Sequence, residues 1–143
     1  MANALAVRFR VDFGKRCSVG VGKIELLEGI ARTGSLSQAA RDMRMSYRRA
    51  WLLLEDLNGS FDRRVAEASV GGRGGGGVVL TPFGSNLVAG YRRLESSLQP
   101  LAKACLDDFG RRIKPGSPRS AKATSIKRKA SAGTRPVRAR APG

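Results

Sequence analysis

The chain has 143 residues, 27 of them basic and 11 acidic, for a formal net charge of +16, with two cysteines and no histidine. That length allows one domain and an appendage. The lack of histidine removes Ser-His-Asp and Cys-His catalytic sets and histidine-containing zinc sites, so no enzyme is expected. So basic a balance favours an anionic polymer as partner, nucleic acid ahead of a membrane surface. No stretch approaches the apolar length of a transmembrane helix, and Arg8 and Arg10 break the N-terminal apolar run. The expectation is a soluble cytoplasmic protein associated with the nucleoid. Eleven of the basic residues lie in 111–143, which has no acidic residue, leaving +5 for the rest. Cys17 and Cys105 read as packing residues of an intracellular protein.

Val7, Phe9, Val11 and Phe13 alternate with Arg8, Arg10 and Asp12, the two-residue period of a half-buried strand. Its expected partner is a later hairpin. Residues 21–33 follow with Ile24, Leu27, Ile30 and Ala31 on one helical face, closed by Gly34. Ser35 and Gln38 then form a Ser-x-x-Gln capping box for a short helix that buries Leu36, Ala39, Ala40 and Met43. Ser46 caps the next helix, whose apolar face is Tyr47, Ala50, Trp51, Leu54 and Leu57, with Trp51 expected in the core. Asn58-Gly59 ends that pattern. Two short helices with a brief connection make a helix-turn-helix.

Residues 65–70 and 78–80 are strand-like and flank the run Gly71-Gly72-Arg73-Gly74-Gly75-Gly76-Gly77, so they predict a hairpin wing. Thr81 and Pro82 restart a helix, as cap and first helical residue. In it Leu87, Tyr91, Leu94, Leu98, Leu101 and Cys105 repeat at four and three residues. This heptad seam prefers another helix as partner, and a homodimer fits it better than an intramolecular core. Pro100 interrupts it at a cost of about 3 kcal/mol, bending the helix or splitting it near Gln99. The fold class is therefore mainly α with a small β-hairpin wing: a winged helix-turn-helix with a long C-terminal dimerisation helix over 1–113. Residues 114–143 form a basic tail too poor in apolar side chains to fold alone.

The start of the second helix of the helix-turn-helix carries the chemistry. Ser46, Tyr47, Arg48 and Arg49 stand where such motifs enter the major groove. Arginine donates two hydrogen bonds to guanine O6 and N7, and Ser46 and Tyr47 can donate to phosphate. The plainer alternative makes Arg48 and Arg49 a solvated face and Tyr47 core. Ser35, Ser37 and Gln38 begin the preceding helix and either meet a phosphate or only cap. Arg73, Gly74 and Gly75 belong to a wing tip able to approach a DNA backbone, or to a hairpin turn without contacts. The glycine run lacks the Gly-Lys-Ser/Thr of a nucleotide loop.

The sequences Thr33-Gly34-Ser35-Leu36-Ser37-Gln38-Ala39-Ala40, Met45-Ser46-Tyr47-Arg48-Arg49-Ala50-Trp51, the glycine run and Leu80-Thr81-Pro82-Phe83-Gly84 together resemble the N-terminal DNA-binding domain of ModE-type molybdenum-dependent regulators. The LysR-type winged helix is a more distant likeness. The resemblance covers residues 7–95. It implies a winged helix, a homodimer and bacterial transcription regulation at palindromic operators, with Ser46, Tyr47, Arg48 and Arg49 matching the recognition helix and 71–77 the wing. Full-length ModE proteins continue into a molybdate-binding β-domain. Here the basic tail takes its place, so no cofactor is expected.

The expected function is a dimeric, sequence-specific regulator of transcription whose tail adds non-specific affinity. The alternative is an architectural nucleoid protein in which the tail dominates. An adaptor that keeps the fold but binds protein is the third possibility.

Overall fold

The computed structural model describes residues 4–70 and 76–116, in the order β1 (Arg10–Phe13), β2 (Cys17–Gly20), α1 (Val21–Thr33), α2 (Leu36–Asp42), α3 (Tyr47–Ser60), β3 (Ala66–Ser69), β4 (Gly77–Leu80) and α4 (Pro82–Arg111). The fold is a mainly helical winged helix-turn-helix. Three of the four helix starts are written in the sequence; α1 follows Gly20 without a side-chain cap. Ser35, Ser46 and Thr81 accept hydrogen bonds from the amides of Gln38, Arg49 and Gly84, and Pro82 opens α4 where its missing N–H costs nothing. Gly34 closes α1 at φ 67°, in the left-handed region, and returns its amide to Ile30.

Half of the expected capping box is used. The Gln38 side chain turns forward and donates to Asp42 instead of reaching back to Ser35. The Ser35 amide is already taken by the Thr33 hydroxyl at 3.2 Å, so the glutamine is free.

The core lies between α1, α2 and α3, with Ile24, Leu27, Ile30, Leu36, Ala39, Ala50 and Leu57 closed to solvent or nearly so. Two assignments change here. Leu26 is fully buried, whereas Ala31 is exposed. Trp51 is 45 % exposed and stands outside the core. The inward face of α3 is Ala50, Leu54, Leu57 and Asn58, and the apolar stripe extends past the area its neighbours cover.

The first strand pairs elsewhere than expected. β1 runs antiparallel to β2, with Arg10 opposite Gly20 and Phe13 opposite Cys17, so it forms its own hairpin and not a sheet with the wing. A three-residue turn, Gly14-Lys15-Arg16, makes this local pairing possible, and it buries Cys17 and Val19. The residues before β1 strap onto α4. Gln99 accepts from the Val7 amide at 3.1 Å and donates to the Leu5 carbonyl, while Tyr91 donates to the Phe9 carbonyl at 2.7 Å and stacks on the Phe9 ring.

β3 and β4 pair antiparallel, Ala66 with Leu80 and Ser69 with Gly77. α4 runs unbroken through Pro100. Pro100 and Ser96 are both exposed, so water can reach the carbonyl that loses its partner. Arg92 ties α4 to α1 by two hydrogen bonds to Glu28 at 2.8 Å and also meets Glu95. The bond from Arg92 holds the Glu28 carboxyl below its ordinary value, against burial, which raises it. No helix among the described residues is long and apolar enough to cross a membrane.

Gly84 meets the Val65 carbonyl so closely that a Cβ would sit 1.9 Å from its oxygen, whereas at Gly59 a Cβ would meet nothing. Gly84→Ala should therefore cost about 3 kcal/mol in urea unfolding, and Gly59→Ala should gain about 0.5 kcal/mol from helix propensity. Arg92→Ala should cost about 1 kcal/mol at neutral pH. A lowered carboxyl value contributes stability that is complete above the ordinary value of 4.5 and disappears as the pH falls through the lowered one. The difference between Arg92→Ala and the parent should thus shrink on acidification, which unfolding curves across pH 2.5 to 7 (about that span) would record.

Candidate nucleic-acid interface

The helix-turn-helix is held by the short connection 43–46 from α2 to α3. The Met45 amide returns to Ala40 and the Arg44 amide to Arg41. Arg44 occupies the left-handed region at φ 55°. This places Ser46 at the head of α3 with its side chain satisfied by Arg49. Beyond it, Tyr47 is 55 % exposed, and Arg48 and Arg49 both point to solvent.

Ser35, Ser37 and Tyr47 come together with the base of the wing. They line a groove of ≈ 300 Å³ whose other walls are Gly34, Leu36, Gly76, Gly77 and Val78. The wing base is fastened there by the Val78 amide, which donates to the Gly34 carbonyl at 3.0 Å. Gly77 presses on the same carbonyl, where a Cβ would stand 2.4 Å from the oxygen. Gln38 is exposed and bonded to Asp42, away from this lining. Arg48 and Arg49 do not line the groove either. They extend the surface beside it. Arg73, Gly74 and Gly75 lie outside the described residues.

The charge pattern sharpens this surface. Among the described residues Arg10, Arg32, Arg64, Arg92 and Arg111 all find carboxylates, and so does Lys23. Arg41, Arg44, Arg48 and Arg49, which flank the turn, form no ion pair among those residues, and neither do Arg8, Arg16, Arg63, Arg93 and Arg112 elsewhere. Arg41 and Arg44 escaped the sequence reading, although the spacing Arg41-x-x-Arg44-x-x-x-Arg48 is visible there. The acidic residues of α3 are occupied: Asp56 by Lys23 and Glu55 by Arg64 at 3.6 Å. No cluster among the described residues has the donors of a metal site.

The residues proposed for a dimer seam divide. Tyr91 is buried and Leu87 half-buried against the chain's own hairpin. Leu94 and Leu101 are exposed, as is Cys105, and Leu98 is half-covered.

Residues 21–85 match the family described as bacterial regulatory helix-turn-helix protein, lysR family. The match spans α1 to the start of α4 and so includes the whole motif and its wing. This chain carries a LysR-type helix-turn-helix domain. Its sequence is similar to the molybdenum-pterin-binding protein MopB of Rhodobacter capsulatus, 41 % identical over 83 residues, or 58 % of this chain and 31 % of the relative. The DNA-binding transcriptional dual regulator ModE of Escherichia coli K12 is 38 % identical over 86 residues, 60 % of this chain and 33 % of its own length. The molybdenum transport protein ModE of Azotobacter vinelandii aligns over 112 residues at 33 % identity, covering 78 % of this chain and 40 % of the relative. The helix-turn-helix part is thus ModE-like, and the chain spans 31 to 40 % of the length of these relatives.

Left-handed backbone at an arginine costs roughly 1–2 kcal/mol. Arg44→Gly should remove most of that cost and, after glycine's larger unfolded-state entropy, raise unfolding stability by about 0.5 kcal/mol. Denaturant titration of the variant against the parent measures it.

Proposed function

We propose that this protein regulates transcription as a homodimer that binds palindromic double-stranded DNA, in the cytoplasm and at the nucleoid. One observation carries the reading: the open N-terminal end of α3 holds Arg48 and Arg49 without carboxylate partners, beside Arg41 and Arg44 and next to the groove at the wing base. A helix end of this kind fits the major groove. In this reading Arg48 or Arg49 donates to a guanine edge, and Tyr47, Ser46, Ser35, Ser37 and Gln38 meet the flanking phosphates. The wing, with Arg73, Gly74 and Gly75 at its tip, follows the backbone. The exposed Leu94 and Leu101, seven residues apart on one face of α4, support a partner helix on that side, which would set two recognition helices over two half-sites. Leu87, Tyr91, Leu98 and Cys105 complete the seam. The lysR-family match and the similarity to a DNA-binding transcriptional regulator of Escherichia coli support DNA as the partner. No cofactor and no catalytic step belong to this reading.

The eleven basic residues of 111–143 favour a second reading, an architectural protein whose tail supplies the affinity. In-vitro selection of DNA at about 150 mM salt, with the full chain and with residues 114–143 removed, separates the two. A palindromic motif enriched in both pools is the expected result. Arg48→Ala should then weaken binding about tenfold or more and relax one base position per half-site. Binding that vanishes with the tail and enriches no motif would favour the architectural protein.

A further inference from the structure

Two apolar side chains lie where a DNA-facing surface has little use for them. Trp51 is 45 % and Leu52 50 % exposed on the second turn of α3. Neither joins the hydrophobic core or the half-buried residues packed on it, although the neighbouring Leu53 does. A single exposed leucine carries no information; the position of this one does. At about 100° per residue, Leu52 stands about 200° from the buried Ala50, on the side of the helix turned away from the core. It lies four residues after Arg48 and so directly above it on the same face. Trp51 stands in the same relation to Tyr47.

The surroundings limit what this apolar spot can meet. Arg41, Arg44, Arg48 and Arg49 surround the start of the helix, which disfavours a purely apolar partner. The next turn ends the contact stretch, because Glu55 and Asp56 would repel phosphate and are held by Arg64 and Lys23. A polyanion that also offers an apolar group fits both properties. In the major groove the thymine C5 methyl is that group.

We propose that Leu52, flanked by Trp51, reads a thymine through its C5 methyl group and makes the protein's base preference partly apolar. This rests on the major-groove placement of α3 argued above. Four residues of helix rise about 6 Å, under two base-pair steps of about 3.4 Å. The thymine should therefore lie within about two base pairs of the base that Arg48 reads.

The test uses the full chain and a duplex enriched by the selection. Each thymine is replaced in turn by deoxyuridine, which removes the methyl and keeps the O4 acceptor and the base pair. One position per half-site should lose about fourfold in affinity, the value of one buried methyl group. Leu52→Ala should bind the thymine and deoxyuridine duplexes equally at that position. Its melting temperature checks that the fold is intact, as expected for a half-exposed residue. An enriched motif with no deoxyuridine-sensitive position would overturn the assignment, and so would a Leu52→Ala variant that keeps the methyl preference of the parent. Failure to enrich any motif would instead overturn the regulatory reading beneath it, so the two failures are distinguishable.

Discussion

The main chain at Val65 fixes the recognition helix, the wing and the long helix to one another. Val65 is fully buried. Its amide donates to the Asn58 side-chain oxygen at 2.8 Å, and the Ala66 amide reaches the same oxygen at 3.3 Å. Its carbonyl accepts from the Thr81 amide at 3.0 Å, and the Thr81 hydroxyl donates to the adjacent Arg64 carbonyl. Asn58 belongs to α3, Ala66 opens β3 and Thr81 caps α4. Buried amides and carbonyls are costly to leave unpaired, so these bonds leave the three elements little freedom to shift separately. Asparagine suits the place because it accepts twice without burying a charge. Its own Nδ2 has no partner among the described residues, a smaller cost than a buried carboxylate.

A second tie closes the wing from the other side. β4 bonds to the Gly34 carbonyl at the end of α1, and the backbone contact of Gly77 there excludes any side chain. Gly34 is followed directly by Ser35, the cap of α2. The groove at the wing base thus has walls set by main-chain hydrogen bonds.

Three helix starts and the stop of α1 were legible in the sequence because capping is local, whereas Asn58-Gly59 does not end α3, which runs on to Ser60. Ser35, Ser46, Thr81-Pro82 and Gly34 act within four residues of themselves, and each reads correctly. Strand pairing is not local in the same way. Val7 to Phe13 announced a strand by alternation, yet nothing in that alternation names its partner. The short turn at Gly14-Lys15-Arg16 let Cys17 and Val19 take the pairing before the wing could. The role of Asn58 was hidden for a related reason. Its residue type suggests a helix end, and only the arrival of Val65 turns it into a buried acceptor.

Periodicity also names a helix face without naming what covers it. On α3 the apolar stripe runs through Tyr47, Ala50, Trp51, Leu54 and Leu57, but packing reaches only Ala50, Leu54 and Leu57. The outer part is left to solvent, next to the free arginines. On α4 one heptad pattern serves two masters. Its first members are taken within the chain: Tyr91 by Phe9, just before β1, through ring stacking and the Tyr91 hydroxyl, and Leu87 by packing against the core. From Leu94 onward no described element covers it fully. Apolar residues beyond the edge of a packed face have lost the stability argument for being apolar. On both helices the sequence keeps them so, and on both the uncovered stretch begins where the chain's own core ends. The two uncovered stretches differ in their surroundings: Arg48 and Arg49 adjoin the one on α3, whereas Leu94 and Leu101, seven residues apart, share one face of α4.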